Sequence, residues 1–154
     1  MKLKTILMTL VVLFAGAAVC LAADANIGTW KLNEAKSKIG AGATKNMTVV
    51  YEMVGDKLKV TVDGINKDGK PVHHEWTGSV DGKDYPVVGD STSDARSYKK
   101  VDDRTMDFTG KKGGKTTVTG RVVVAADGKS RVVLTSWTDS KGKNASSTAV
   151  YDKQ

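Results

Sequence analysis

Hydrophobic and polar residues alternate along most of the chain after residue 44. In KLKVTVD, residues 57–63, Leu58, Val60 and Val62 share one parity, while lysine, threonine and aspartate residues fill the other. The same period of two recurs in segments 45–54, 105–111 and 115–126. This pattern is typical of antiparallel strands that have one buried face and one wet face.

Turn-forming dipeptides divide the alternating segments at regular intervals. Asp-Gly and Gly-Gly pairs recur between them, and such pairs accept the positive φ that tight hairpins need. They delimit ten predicted strands, at 27–32, 45–54, 58–66, 71–80, 84–88, 95–101, 105–111, 115–126, 130–139 and 144–152. The one segment predicted to be helical is NEAKSK, over one or two turns, with Asn33 as its N-cap.

Eight to ten sequential strands joined by short links form a meander, and a meander has two exposed edges unless it closes. We therefore predict an all-β fold, an antiparallel up-and-down β-barrel of 8–10 strands in which the first strand pairs with the last. A β-sandwich is the competing all-β solution. It usually needs longer crossovers, and only segments 39–44 and 88–94 exceed hairpin length here.

The apolar parity sets predict which side chains face the barrel interior. They are Met47, Val49, Tyr51, Met53, Leu58, Val60, Val62, His74, Trp76, Met106, Phe108, Val118, Val122, Val124 and Leu134. A small barrel can be filled by such side chains or can hold one small ligand, and the sequence leaves both open. The residues selected as candidate ligand lining are Tyr51, Met53, His74, Trp76, Met106 and Phe108.

The N-terminus has the layout of a secretory signal peptide. Two lysines precede the apolar run 6–14, and small residues follow it. We expect cleavage after Ala23, so that a signal helix at 1–23 is removed and one domain at 24–154 remains. An uncleaved membrane anchor is one alternative, because the apolar stretch is close to spanning length. A lipid-modified Cys20 is the other, although Val19 before it is not the small residue that lipoproteins use.

Cleavage also changes the composition. The remaining 131 residues carry 22 lysines and arginines against 17 acidic residues, a net charge of +5, because the signal removes two lysines. Cys20 is the single cysteine and leaves with the signal, so the domain has no disulfide. A disulfide-free exported domain fits a bacterial periplasmic or secreted protein. Because export removes the protein from nucleic acid and the lysines are dispersed, we expect no nucleic-acid partner. We also expect no stable membrane insertion after signal cleavage, and a monomer.

The segment GTWKLN, residues 28–33, follows the signal and opens the meander. Together with VTVDGINKDGKP, DGKDYPV and AVYDKQ, it resembles uncharacterised exported bacterial proteins with a lipocalin-like domain, over nearly all of residues 27–154. Gly28-Thr29-Trp30 also resembles the first-strand motif of the wider calycin superfamily of lipocalins and fatty-acid-binding proteins.

This resemblance implies an up-and-down barrel with one closed end, in which Gly28 and Trp30 belong to the closure and a late cation stacks on the indole. Arg131 and Lys153 are both candidates for that cation, and the sequence does not decide between them. The chain departs from fatty-acid-binding proteins in two ways. Residues 33–44 are too few for a two-helix lid, and the Arg-x-Tyr carboxylate clamp is interrupted because Ala149 stands two residues before Tyr151.

His73-His74-Glu75 is the main candidate for further chemistry. Alternation places His74 inward with Trp76 and places His73 and Glu75 on the outer face, so three metal ligands do not converge, and we predict no metal or cofactor. His74 can serve as a polar contact in an apolar pocket or, in a less favoured reading, as an axial haem ligand. No nucleophilic or acid–base constellation is visible, and the prediction is that the protein is not an enzyme.

The function predicted from the sequence is binding of a small apolar or amphipathic ligand inside the barrel. The alternative is a barrel filled by its own side chains that acts as a periplasmic or envelope interaction module. A cavity of a few hundred Å³ is what separates the two.

Overall fold

A computed structural model describes residues 24–154 of this chain, which form a closed barrel of ten antiparallel strands. The strands are β1 (Gly28–Leu32), β2 (Lys45–Val54), β3 (Lys57–Ile65), β4 (Pro71–Gly78), β5 (Tyr85–Val88), β6 (Ala95–Lys100), β7 (Thr105–Lys112), β8 (Lys115–Val124), β9 (Ser130–Thr138) and β10 (Asn144–Lys153). The predicted signal peptide lies outside the described residues.

Each strand pairs with its neighbours in sequence, and β1 closes the barrel against β10. In the closing ladder Trp30 lies opposite Lys153 of β10 and opposite Val49 of β2. The all-β up-and-down barrel is therefore confirmed, and the ten predicted strands have borders within two residues of those observed. Regular alternation and turn dipeptides made this possible, since both are local features of the sequence.

The link between β1 and β2 lies against the barrel wall. A 3-10 turn, Glu34–Lys36, begins with the Asn33 side chain accepting a 3.2 Å hydrogen bond from the Lys36 backbone N–H, as predicted for an N-cap. Beyond it, Lys38 and Thr148 exchange two backbone hydrogen bonds of 2.7 and 2.9 Å. The chain thus continues beside β10, and residues 33–44 contain no helical lid.

The barrel has two unlike halves, which we call the closed half and the open half. The closed half is at the Trp30 end, where residues 24–27 cover the barrel: Ala25 and Ile27 pack against the core, and the Trp30 indole N–H donates to the Asn26 carbonyl at 2.8 Å. The open half is at the other end, where β1–β2, β3–β4, β5–β6, β7–β8 and β9–β10 are joined. Gly40 of the β1–β2 link donates its N–H to the Ser147 hydroxyl there at 2.8 Å.

Two residues predicted to face the interior are exposed instead. Met53 is 54% exposed, because the β1 ladder stops with Gly28 opposite Tyr51 and Met53 extends beyond it. Leu134 is 45% exposed, because the register pairs it with Arg121 on the outer face. On β9 the inward parity belongs to Arg131, Val133, Thr135 and Trp137.

Candidate functional site

The inward-facing side chains are packed tightly in the closed half and loosely in the open half. In the closed half Trp30, Val60, Met106, Val122 and Val124 are all 1% exposed or less. In the open half several inward positions remain half-buried, whereas His74, Arg96 and Ser147 are buried. The half-buried ones are Val72, Val118, Val133, Thr135, Trp137 and Ala145. These inward-facing side chains therefore remain in contact with water near the open end.

Arg131 lies at the centre of the closed half, 1% exposed, among three aromatic rings. Its guanidinium carbon is 4.6 Å from the Trp30 ring centre, 4.5 Å from that of Tyr51 and 5.1 Å from that of Tyr151. A desolvated cation on aromatic faces gains about 2 kcal/mol. Arg131 is therefore one of the two candidate cations that lie over the Trp30 indole.

Lys153 also reaches the same indole. Its ammonium nitrogen lies 5.2 Å from the Trp30 ring centre. Gly28 makes this approach possible, since its φ is +130° and a Cβ there would lie 2.7 Å from the Lys153 side chain. The Gly-x-Trp motif thus has a physical reason, because the glycine leaves space for the lysine stem beside the indole.

Arg131 has no carboxylate partner among residues 24–154. Its Nε and Nη1 atoms are buried without a hydrogen-bond acceptor. The neighbouring tyrosines stay neutral, because burial raises the pKa of Tyr51 and raises the pKa of Tyr151 to about 12. The closed half therefore holds a buried positive charge that its own side chains do not neutralise.

A second buried arginine lies in the open half. Arg96, 9% exposed, donates from Nη2 to the Asp90 carboxylate at 2.8 Å, and its Nε has no partner. Burial alone raises the pKa of Asp90, but hydrogen bonds from Thr92 and the Arg96 charge outweigh it and hold that pKa below its ordinary value. Asp90 is thus an anion that balances Arg96.

His74 lies inward on β4, as predicted, opposite Val62 of β3. It is 7% exposed, and its Nε2 has no hydrogen-bond partner. Burial and the nearby Arg96 charge lower the pKa of His74 from 6.5 to about 4, so the ring is neutral at pH 7. His74, Asp90 and Arg96 form the polar cluster of the open half. Ser93, which is 1% exposed, lies against Thr117 instead, with the two hydroxyl oxygens 3.3 Å apart.

Aromatic rings separate the polar cluster from the closed half. Tyr98 packs against Trp76 with ring centres 4.6 Å apart and against Phe108 at 5.7 Å. The Arg96 guanidinium lies 5.7 Å from the centre of the Phe108 ring. Arg96 therefore lies beside the aromatic side chains of the core.

Two hollows lie along β7–β10. The first, about 420 Å³, is lined by Thr116, Thr117, Val118, Thr119, Ser136, Trp137, Thr138, Asn144, Ala145 and Ser146. It includes the inward-facing Val118, Trp137 and Ala145 of the open half. The second, about 320 Å³, involves the outward-facing Arg121, Leu134 and Ser136. Both are open to solvent, and exposed, outward-facing side chains such as Ser136 form much of each lining.

The predicted lining residues fall into three groups. Tyr51, Trp76 and Met106 are 1–4% exposed and belong to the packed core. Phe108 and His74 lie at the border of the open half, where Phe108 remains half-buried. Met53 lies outside the interior.

Sequence reasoning missed Arg96, Asp90 and Ser93. The sequence of β6, ARSYKK, did carry a usable signal. Arg96 and Tyr98 are two residues apart and therefore face the same side of the strand, so the aromatic residue indicates that the arginine is buried with it. Asp90 and Ser93 lie in the β5–β6 link, and no local pattern indicates that a link residue folds into the barrel.

Among residues 24–154, no three histidine, cysteine or acidic side chains are grouped closely enough to hold a metal ion. Within the same residues, no helix has the length and apolarity needed to cross a membrane. His73 is on the outer face, where it contacts Asp63 at 2.7 Å.

No family model and no curated protein matches this sequence. Among solved structures, EF1p2_mFAP2b bound to DFHBI is similar with a TM-score of 0.51 and 11% identity, over 86% of this chain and 97% of that one. A redesigned β-barrel, mFAP1, bound to DFHBI, has a TM-score of 0.48 and 14% identity over 86% and 98% of the two chains. At these identities the likeness to EF1p2_mFAP2b shows the barrel fold.

Proposed function

We propose that this protein is an exported lipocalin-like barrel that binds a small apolar or amphipathic molecule in its open half. The observation that carries the proposal is the contrast between the two halves. Inward-facing residues such as Val118, Thr135 and Trp137 stay half-buried, whereas their counterparts around Trp30 are completely covered.

The chemistry of the open half supports a ligand of mixed character. Val72, Val118, Trp137 and Ala145 offer apolar surface that loses contact with water when a ligand covers it. The polar cluster offers buried nitrogen atoms without partners, and such groups gain free energy when an acceptor arrives. EF1p2_mFAP2b is bound to a small molecule, so a barrel of this fold is compatible with such a role.

Filling the open half tests this function. We expect Thr135→Phe to weaken binding of the neutral fluorescent probe N-phenyl-1-naphthylamine about tenfold or more, because the ring occupies the interior beside Gly120 and Ser147. Fluorescence titration measures the affinity.

Ser136→Phe is the matched control for that titration, since Ser136 is the next residue on β9 and faces outward into both hollows. The proposal expects it to leave the affinity unchanged. Loss of binding in Ser136→Phe alone places the probe on the outer face and contradicts the proposal. Absence of probe binding to the unmodified protein favours the filled interaction module instead.

Mass spectrometry of the protein from its native host tests both the ligand and the route of export. The native spectrum is expected to show one co-purifying small mass. The denatured spectrum is expected to show a chain that begins at Asp24, without an added lipid. A full-length or lipid-modified mass contradicts cleavage after Ala23, and repeated absence of any bound mass contradicts ligand carriage.

A further inference from the structure

A groove crosses the outer face of β7–β10. The two hollows share the lining residues Thr119 and Ser136, which lie opposite each other in the β8–β9 ladder. The hollows are therefore continuous with each other. Along β9 their linings extend from Leu134 to Thr138, a length of about 13 Å at the usual rise of a strand.

Hydroxyl groups form the middle of this groove. In the strand ladders Thr119 of β8 lies between Thr109 of β7 and Ser136 of β9, and Ser136 lies opposite Ser146 of β10. Four neighbouring strands thus contribute one hydroxyl each to a row, at the strand spacing of about 4.8 Å. Thr119, Ser136 and Ser146 are exposed. Their hydroxyls can both donate hydrogen bonds to a ligand and accept them from it.

An indole borders the groove toward the open end. The β8–β9 ladder ends with Val118 opposite Trp137, and Trp137 remains half-buried, whereas Trp30 and Trp76 are 0% and 1% exposed. An indole offers a large apolar face and a polar N–H to a ligand. Sugar rings match this surface, because they carry C–H groups on their faces and hydroxyls around their edges.

Positive charge surrounds the same end of the groove. The tips of the β7–β8 and β9–β10 hairpins carry four lysines that belong to no ion pair among residues 24–154, namely Lys112, Lys115, Lys141 and Lys143. The aspartates that contact these tips, Asp94 and Asp139, accept hydrogen bonds from backbone N–H groups of the turns. The excess of lysine charge raises the local concentration of anions at the groove.

We propose that this groove binds a linear acidic polysaccharide. Its sugar rings lie across the hydroxyl row and against Trp137, and its carboxylates bind the lysines of the two hairpin tips through charge-assisted hydrogen bonds. This site goes beyond the proposed function, because it lies on the outer face of the barrel wall and not in the interior.

An anionic lipid surface is the other partner that exposed lysines attract. Segments that bind a membrane surface also insert apolar side chains into it, whereas the two hairpin tips offer glycines and Ser140 between their lysines. The hydroxyl row has no role at a lipid surface. The lining of the groove therefore favours the polysaccharide.

Calorimetric titration with three matched oligomers tests the ligand class. Hexagalacturonate is expected to bind about tenfold or more tightly than maltohexaose, which has sugar rings without carboxylates, and than hexaglutamate, which has carboxylates without sugar rings. Equal affinity for either comparison oligomer overturns the proposal, because one of the two recognised features is then irrelevant.

Acrylamide quenching of tryptophan fluorescence locates the ligand. Trp137 is the accessible one of the three tryptophans, so the quencher reports on the groove. Saturating hexagalacturonate is expected to protect Trp137 from quenching. Unchanged quenching at saturation shows that the oligomer binds elsewhere and overturns the proposal.

Phenylalanine substitutions on β9 distinguish the groove from the barrel interior. Ser136→Phe fills the middle of the groove and is expected to abolish binding of hexagalacturonate, whereas the inward-facing Thr135→Phe is expected to leave it unchanged. This order is the reverse of the one expected for N-phenyl-1-naphthylamine, so the two proposals fail independently. Loss of hexagalacturonate binding in Thr135→Phe alone places the oligomer inside the barrel and overturns the groove site.

Lysine substitutions test the role of the hairpin tips. Lys115→Gln is expected to weaken hexagalacturonate binding about threefold. Lys70→Gln is the matched control, since Lys70 is an exposed lysine without an ion pair in the β3–β4 link of the same end, and it is expected to change nothing. Equal loss in both variants assigns the binding to general surface charge and overturns the proposal.

Vesicles of phosphatidylglycerol and phosphatidylcholine test the competing partner. The protein is expected to remain in the supernatant when such vesicles are sedimented. Sedimentation with the vesicles, together with absence of hexagalacturonate binding, assigns the lysines to a lipid surface and overturns the polysaccharide site. Binding of neither partner overturns it as well.

Discussion

Trp30→Ala is expected to lower the free energy of unfolding by about 4 kcal/mol, the usual cost of deleting a large buried aromatic side chain. Trp30 is fully buried, donates its indole N–H to the Asn26 carbonyl and lies under the Arg131 guanidinium. Its loss leaves a cavity, removes the favourable contact of a buried cation and frees residues 24–27 from the closed end. Urea unfolding followed by circular dichroism at the β-sheet band measures the change.

Trp137→Ala is the matched control, because it removes the same side chain from the open half. Trp137 is half-buried and borders the 420 Å³ hollow, so we expect a loss of no more than about 1 kcal/mol. The same substitution is expected to weaken binding of N-phenyl-1-naphthylamine, since Trp137 offers apolar surface to a ligand. Equal destabilisation by the two substitutions would show that the open half is packed as tightly as the closed half.

The fold was predictable because its determinants are local. Hairpin dipeptides and the period of two locate the strands. Closure follows because the two edge strands would otherwise leave backbone N–H and C=O groups unpaired. The sequence assigned Gly28 and Trp30 to the closed end only through the resemblance, and the structure gives a physical reason for Gly28, whose missing Cβ leaves space for Lys153.

The site was less predictable because apolar parity does not find buried charges. On β9 the apolar residues Val132, Val133 and Leu134 are adjacent, so hydrophobicity alone does not say which of them faces inward. Arg131 settles the parity, since it is stabilised in the interior by aromatic faces and Leu134 is thereby directed outward. Arg96 was overlooked for the same reason, and its partner Asp90 comes from a link that folds against it.

Lowering the pH from 7 to 4.5 is expected to cost this protein about 2.5 kcal/mol of stability through His74 alone. The pKa of His74 is about 4 in the folded protein and 6.5 when the ring is solvated. Between these pH values the unfolded chain binds a proton on His74 that the folded chain does not. The free energy of unfolding contributed by His74 is therefore constant above pH 6.5 and decreases as the pH falls toward 4. Urea midpoints measured at both pH values give the difference.

His74→Met isolates that contribution, because methionine fills a similar volume and does not titrate. At pH 7 the variant is expected to match the unmodified protein, since His74 Nε2 has no hydrogen bond to lose. At pH 4.5 it is expected to be the more stable of the two by about 2.5 kcal/mol. Acidic groups such as Asp90 contribute to acid destabilisation in both proteins and cancel in the comparison.

His73→Gln is the matched control, since His73 is the neighbouring residue on the outer face. Its hydrogen bond to Asp63 is the main reason that its pKa is raised, so its stabilising contribution is present at low pH and is lost as the pH rises through the folded value. This variant is therefore expected to become less stable relative to the unmodified protein on acidification, the opposite of His74→Met. Parallel pH profiles for the two variants contradict a neutral, buried His74.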